Sequence, residues 1–294
     1  MHILKNFACG TCWATVRTGW RVFLLIPGCL FFLFFLADGY AMAGAAAEGR
    51  RQETRLVSLI KRIKPSVVAV GTFSIKDTPM VQLYGTGFAV GDGSRIVTNA
   101  HVLNTIEEKK RLGRLRLLHG EFPTEGVAAR VLEKDERHDL ALLEVEGAEL
   151  RPLRLADGAG VQEGEAVAFT GYPIGFVLGA NPTPHQGIVS AISPIALPAR
   201  TAREIDKEMV GFLNEPYDIV QLDATAYPGN SGSPVFRISS GEVIGIINMV
   251  FVKGKKEHIL KEPSGIVYAI PAKFAAELIK ATRDDPEKSG QDLQ

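Results

Sequence analysis

The chain has 294 residues, of which 46% are apolar and 22% charged, a balance typical of a globular protein with one large domain or two small ones. Lys and Arg together number 33 and so do Asp and Glu, which gives a net charge of zero at pH 7. This balance excludes an overall positive field that would attract nucleic acid, so we expect no nucleic-acid partner.

The first 43 residues have the pattern of a targeting segment. Basic residues precede an uncharged apolar run at 22–37, and the small-x-small sequence at 41–43 follows it. We interpret residues 1–43 as a signal peptide, which would send the protein to the periplasm or out of the cell. If the segment were retained, the same run would anchor the chain in the inner membrane, with the remainder outside the cytoplasm.

All three cysteines, Cys9, Cys12 and Cys29, lie in this targeting segment. The rest of the chain can therefore form no disulfide and no thiolate metal site. His119, His138, His185 and His258 lack metal-ligand spacing with any acidic or thiol partner. We predict no metal and no cofactor.

A spacer and one amphipathic helix are predicted for residues 44–64. Leu56, Leu59, Ile60 and Ile63 recur at helical spacing, and Pro65 ends the helix.

From residue 65 onward the chain consists of short β-branched runs separated by Gly, Pro and Asp, which predict strands. About six such runs fall in residues 65–155 and another six in residues 156–282, where a closing helix follows them. We predict an all-β fold of two six-stranded antiparallel β-barrels, with a short helix at each end. The polar tail, 283–294, is predicted to be disordered.

The sequence YPGNSGSPVF at 227–236 surrounds Ser231 with glycines and prolines. These residues are common in ordinary surface turns. They also suit a backbone that directs two amide N–H groups at a point beside the Ser231 hydroxyl, as a nucleophile with its oxyanion hole requires.

His101 and Asp139 are candidates for the other two groups that activate a serine. His101 follows a strand into a short polar turn, and its imidazole would accept the Ser231 proton. Asp139 begins an apolar strand, where its carboxylate would orient the imidazole. His101 alone would more often be structural or merely exposed, whereas for Asp139 alone a structural role and the catalytic one are about equally expected. The order His, Asp, Ser excludes the α/β-hydrolase and subtilisin arrangements. The neighbouring His138 is expected to be exposed, on the opposite face of the strand.

The segments TNAHV, HDLALL and GNSGSP resemble those of the trypsin-like (chymotrypsin-fold) serine peptidases, and most closely the HtrA/Deg branch. Weaker similarity, from KPSVVAV near the start to YAIP near the end, covers almost all of the chain after the targeting segment. The resemblance implies an endopeptidase that acts through an acyl-enzyme, with protein or peptide substrates and a role in envelope protein quality control or regulatory proteolysis. Relatives of this branch are often homo-trimers.

The same resemblance implies a role for each matching residue. His101 would be the general base and then the general acid, Asp139 its orienting carboxylate, and Ser231 the nucleophile. The N–H groups of Gly229 and Ser231 would form the oxyanion hole. Asn230, between them, would point outward or brace the loop.

The chain departs from the family pattern around the nucleophile. Ser233 stands where HtrA enzymes usually have glycine, a form shared with secreted glutamyl endopeptidases. Those enzymes carry a histidine on the strand after the nucleophile, which is absent here, so a carboxylate-binding pocket is not indicated. Thr225 stands where trypsin-like pockets hold an aspartate. We predict a small aliphatic P1 residue, and substrate contacts through Thr225, Ala226, Ile246, Ile247 and Asn248.

Two further features bear on function. No PDZ domain is expected after the closing helix, although most HtrA proteases carry one. The long segments 198–217 and 253–265 are expected to flank the site, either as solvated insertions or as regulatory or partner-binding loops. The alternative to an enzyme is a non-enzymatic peptide-binding module on the same fold, against which the complete set of His, Asp and Ser argues.

Overall fold

The computed structural model describes residues 53–111, 114–120, 125–145, 147, 149–157, 160–173, 181–195, 216–248 and 266–284. The predicted targeting segment, the spacer up to residue 52, residues 198–215 of the long segment 198–217, all of the long segment 253–265 and the tail from 285 lie outside these residues. The chain divides into two compact units, Met1–Thr54 and Arg55–Gln294, and nearly all described residues belong to the second. Within the described residues, no helix has the length and apolar character needed to cross a membrane.

The first barrel contains six antiparallel strands that close in the order β1-β2-β3-β6-β5-β4. Its strands are β1 (Val67–Phe73), β2 (Val81–Val90), β3 (Arg95–Thr98), β4 (Leu115–Leu118), β5 (Val127–Asp135) and β6 (Leu140–Val145). A helix, α2 (Ala100–Glu108), connects β3 to β4. It places His101 in a first helical turn, whereas the sequence predicted a polar turn. The helix forms because Val102, Leu103 and Ile106 recur at helical spacing and are buried in this barrel's core.

The second barrel also closes with six antiparallel strands, in the order β10-β11-β12-β9-β8-β7. Its strands are β7 (Ala166–Gly171), β8 (Thr183–Pro194), β9 (Asp218–Asp223), β10 (Pro234–Arg237), β11 (Val243–Asn248) and β12 (Ile266–Pro271). The predicted fold class, two six-stranded antiparallel barrels of the chymotrypsin-like kind with a helix at each end, is confirmed.

The two terminal helices are amphipathic. Residues 53–63 form α1, which buries Leu59 and Ile63 before a 3₁₀ turn at Lys64–Ser66. The closing helix, α3 (Ala272–Asp284), packs on β5 and β6 of the first barrel and on β11 and β12 of the second. It extends two residues into the tail that the sequence predicted to be disordered, and the buried Thr282 hydroxyl donates to the Leu278 carbonyl in this last turn.

A shared apolar cluster joins the barrels, in addition to the core of each one. It contains Phe88 from β2, Phe236 from β10 and Tyr172, which follows β7, and all three are at most 1% exposed. Full burial of such a side chain contributes roughly 1.5–3 kcal/mol to stability. The Tyr172 hydroxyl donates to the Val67 carbonyl over 3.3 Å, and burial raises the pKa of Tyr172. This cluster packs residues of the first barrel against residues of the second.

Candidate active site

His101 and Asp139 lie in direct contact. His101 Nδ1 is 2.6 Å from Asp139 Oδ2, and the His101 backbone N–H donates to Oδ1 over 2.7 Å. A carboxylate only accepts hydrogen bonds, so the proton of a neutral ring lies on Nδ1 and the lone pair lies on Nε2. The side chains are 28% and 19% exposed, which leaves the ring accessible. This tautomer is the one that a general base acting through Nε2 requires.

Asp139 ends the turn between β5 and β6 in the left-handed region, with φ at 51°. This conformation costs a non-glycine residue roughly 1–3 kcal/mol, so surrounding contacts must maintain it. The Asp139 carbonyl accepts from the Ala100 N–H at 3.2 Å and from the Asn99 side chain at 2.9 Å. These bonds hold the turn against the start of α2, which carries His101.

Asn248 makes a third contact with the Asp139 carboxylate. Its Nδ2 donates to Oδ2 over 2.8 Å. The sequence predicted Asn248 as a substrate-binding residue and missed this contact. A usable signal was present, since Asn248 ends the apolar strand VIGIIN, and a polar side chain that is buried there needs a partner.

Ser231 lies in the tight loop between β9 and β10 and is 5% exposed. Two glycines shape this loop with positive φ, 101° at Gly229 and 87° at Gly232. At Gly232 a Cβ would also collide with the Thr86 carbonyl oxygen. The Gly232 N–H donates to the Ile247 carbonyl over 2.9 Å, which ties the loop to β11. The positive φ favours glycine at both positions, and at Gly232 the lack of space for a Cβ also requires it.

The backbone N–H groups of the loop divide into two sets. Those of Asn230, Gly232 and Ser233 donate to carbonyl groups over 2.9–3.0 Å. Those of Gly229 and Ser231 have no acceptor among the described residues. These two are the N–H groups predicted to form the oxyanion hole, and they remain available to a ligand oxygen.

Asn230 turns inward behind the loop and is completely buried. Of the two orientations considered from the sequence, the structure excludes the outward one. Its Oδ1 lies 2.7 Å from the position of a Cβ on Gly171, and the Ser233 hydroxyl lies beside the same point. Gly171 is therefore needed to accommodate Ser233, the residue at which the chain departs from the family pattern.

Thr86, on β2, connects the Ser231 loop to the first barrel. Its N–H donates to the Ser231 carbonyl over 2.8 Å, and its hydroxyl donates to the Gly229 carbonyl over 2.7 Å. The same hydroxyl accepts from the Tyr172 N–H over 3.0 Å. Sequence reasoning missed Thr86, because its partners lie 86 to 145 residues further along the chain.

Ser231 and the helix of His101 meet over Gly85, which precedes Thr86. A Cβ on Gly85 would lie 2.7 Å from Val102 Cγ2 and 3.1 Å from the Ser231 carbonyl oxygen. Among the described residues, no hydrogen bond joins the Ser231 hydroxyl to the His101 ring. The structure thus pairs His101 with Asp139. It also brings the helix of His101 and the Ser231 loop against the same strand, β2, at Gly85. In unliganded sites, such catalytic hydrogen bonds are often long.

The remaining predicted substrate-binding residues are mostly buried. Thr225 is exposed, whereas Ala226 is 2% exposed and belongs to the second barrel's core. Ile246 and Ile247 are completely buried, and β11 pairs with β10 on one edge and with β12 on the other. The sequence predicted substrate contacts through Ile246 and Ile247, whereas in the structure their side chains pack in the cores and β11 is paired on both edges at these residues.

His138 also differs from its expectation. Its side chain is 14% exposed rather than open to solvent, and its Nδ1 lies 2.6 Å from Asp135 Oδ2. The prediction assumed that side chains alternate as in a strand, but His138 lies in the turn before β6.

Comparison with known proteins identifies relatives of this chain. A family model for the trypsin-like peptidase domain matches residues 85–246. The chain is 30% identical over 198 residues to the probable periplasmic serine endoprotease DegP-like of Pseudomonas fluorescens, covering 67% of this chain and 34% of that protein. It is 29% identical over 242 residues to serine protease HTRA1B of Danio rerio, covering 81% of this chain and 44% of the relative. It is 30% identical over 232 residues to serine protease HTRA1 of Xenopus laevis, covering 76% of this chain and 42% of that relative. The chain thus spans less than half the length of these relatives.

Proposed function

The chain belongs to the trypsin-like peptidase family, with relatives among the HtrA and DegP serine proteases, and we propose on this basis that it is a serine endopeptidase. The observation that carries the proposal is the 2.6 Å contact between His101 and Asp139, opposite a glycine-shaped loop that presents Ser231. In that arrangement the chain has a general base of defined tautomer, a nucleophile and two free N–H donors.

The proposed reaction proceeds through an acyl-enzyme. Ser231 Oγ attacks the scissile carbonyl carbon as His101 Nε2 takes the hydroxyl proton, and Asp139 stabilises the resulting imidazolium. The N–H groups of Gly229 and Ser231 donate to the oxyanion, and removal of one such donor costs about 3 kcal/mol of barrier. His101 then gives its proton to the leaving amine. Water, deprotonated by the same ring, hydrolyses the ester and restores Ser231.

A fluorophosphonate probe tests the nucleophile directly. We expect the wild-type protein to be labelled and Ser231→Ala to remain unlabelled, while both give the same unfolding transition. Labelling of both proteins would place the nucleophile elsewhere. If the wild type resists labelling across pH and ionic strength yet binds extended peptides, the non-enzymatic peptide-binding alternative is favoured.

The proposed substrates are unfolded or extended proteins cleaved after small aliphatic residues. The support is compositional: Thr225 and Ala226 precede the Ser231 loop, so no acidic side chain stands there for a basic P1 residue. Such a pocket discriminates by only about 1–3 kcal/mol per methylene. Cleavage of a peptide library by wild type, with Ser231→Ala as the control, should favour Ala or Val at P1. A strong preference for Lys or Arg would contradict the assignment, and one for Glu would favour the glutamyl-endopeptidase alternative.

The proposed setting is the bacterial envelope. The support is the targeting pattern at 1–43, together with the word "periplasmic" in the names of the DegP-like relatives. Amino-terminal sequencing of the purified protein distinguishes cleavage after the 41–43 sequence from retention as a membrane anchor. Sedimentation analysis tests the homo-trimer that the family resemblance implies, and a monomer at micromolar concentration would contradict it.

A further inference from the structure

The residue before Asp139 takes part in a second Asp–His pair. The His138 N–H donates to Asp135 Oδ1 over 3.0 Å, and His138 Nδ1 lies 2.6 Å from Asp135 Oδ2. Burial acts to raise the pKa of Asp135, but the hydrogen bonds from His138 outweigh it and hold this pKa below its ordinary value. The pair therefore closes the turn between β5 and β6 with two charge-assisted contacts.

Aromatic rings from two other parts of the chain pack against the His138 ring. The ring stacks on Phe274 of α3, with centroids 3.8 Å apart and planes at 15°. Its edge meets Tyr217, which precedes β9, at 4.8 Å and 63°. Phe274 and Tyr217 in turn contact each other at 5.1 Å. These contacts anchor the turn to segments far from it in sequence.

Within the turn itself the backbone bonding is weak, and the bonds from Ala100 and Asn99 reach only the Asp139 carbonyl. The Asp139 N–H donates to the Glu136 carbonyl over 3.4 Å, at the long limit of a hydrogen bond, and Asp139 has a positive φ. Yet the Asp139 carboxylate must meet His101 and Asn248 at 2.6–2.8 Å. The side chain of the adjacent residue, His138, contacts Asp135, Phe274 and Tyr217.

We propose that His138 is a positioning residue, which fixes the Asp139 carboxylate on His101 by joining its turn to Asp135, α3 and the start of β9. The proposal rests on the proposed function in one respect, the role of Asp139 in orienting His101. The proposal adds α3 and Tyr217 to the parts of the fold that hold Asp139 in position.

Three variants separate the two kinds of contact. His138→Ala removes both, His138→Asn keeps a donor for Asp135, and His138→Phe keeps a ring to stack on Phe274. His119→Ala, at the end of β4, controls for the loss of a histidine elsewhere. We expect His138→Ala to lower kcat by roughly 10- to 100-fold with KM within about twofold, and each conservative variant to recover part of the loss.

A spectroscopic readout makes the test independent of hydrolysis. The downfield proton resonance of His101 Nδ1–H, identified by its loss in His101→Ala, should shift or broaden in His138→Ala and stay unchanged in His119→Ala. An unchanged resonance in His138→Ala, or a kcat within twofold of wild type in all three variants, would overturn the proposal. If wild type is inactive, the proposed function fails, while the resonance still decides the positioning role.

Discussion

Thr86→Val is the substitution that best isolates how the Ser231 loop is held. Valine keeps the shape of threonine but removes the hydroxyl that donates to the Gly229 carbonyl and accepts from the Tyr172 N–H. A buried polar group left without a partner costs about 1–3 kcal/mol. Tyr172 is 1% exposed, so its backbone N–H would be left without a partner and would bear this cost in full. Gly229 is only partly buried, so water would replace part of the hydrogen bond lost by its carbonyl. We expect the free energy of unfolding to fall by roughly 2–4 kcal/mol.

The same substitution should affect catalysis more than substrate binding. Release of the Gly229 carbonyl lets the oxyanion loop shift, and a misplacement of about 1 Å costs on the order of 100-fold in kcat. Urea titration gives the stability, and peptide hydrolysis normalised to fluorophosphonate-titrated sites gives kcat. Thr86→Ser, which keeps the hydroxyl and loses a methyl group, should lose only about 1 kcal/mol. Equal stability and kcat in the Val and Ser variants would refute this account of the loop.

Three further predictions address other contacts of the site. Asn248→Leu removes a donor to the Asp139 carboxylate, worth about 1.5–3 kcal/mol, so kcat should fall roughly 10- to 100-fold with KM unchanged; an unaffected kcat would show that the Asn248 contact is not needed to hold the Asp139 carboxylate. Gly232→Ala forces a Cβ against the Thr86 carbonyl at a φ of 87°, so urea titration should show a loss of roughly 2–6 kcal/mol, whereas a loss below about 1 kcal/mol would contradict the packing. The pKa of Asp135 is lowered in the folded protein, so its contribution to stability is present above its unfolded pKa and is lost as the pH falls through the folded value. Below about pH 4, the free energy of unfolding of Asp135→Asn should therefore fall less steeply with decreasing pH than that of the wild type. An unchanged slope would contradict this.

The barrels could be predicted from sequence because their signal is local. Runs such as VVAVGTF and VIGIIN combine β-branched residues with turn residues at their ends, and each became a strand of the expected barrel. The helix α2 was missed because its nine residues begin at the polar end of β3, where the turn pattern dominates. Its buried Val102, Leu103 and Ile106 become a helical pattern only once the first barrel supplies a surface for them.

The pairing of His101 with Asp139 could be predicted from the sequence, but the contacts that support this pair could not. Ser231 is recognisable by the glycines that its loop requires, and His101 and Asp139 by their order. The contacts of Asn248, Thr86 and His138 join positions that are distant in the chain, such as 86 with 229, and no local pattern encodes them. Burial also accounts for two residues that were predicted to contact substrate: Ile246 and Ile247 are apolar and pack in the cores.

The sequence GTG at 85–87 lies where the helix of His101 and the Ser231 loop approach each other. Glycines weaken a strand, by about 0.5–1 kcal/mol each, and inside one they mark close approach of other atoms. Side chains alternate along β2, so the glycines face the first barrel, with Val102 against Gly85 and Ile96 against Gly87, while Thr86 faces the second. A methyl group at Gly85 would push α2, and with it His101, away from the carbonyl of Ser231. The absence of a side chain at Gly85 therefore lets α2 and the Ser231 loop lie close together, and Thr86, the next residue, supplies the hydrogen bonds that keep the loop in place.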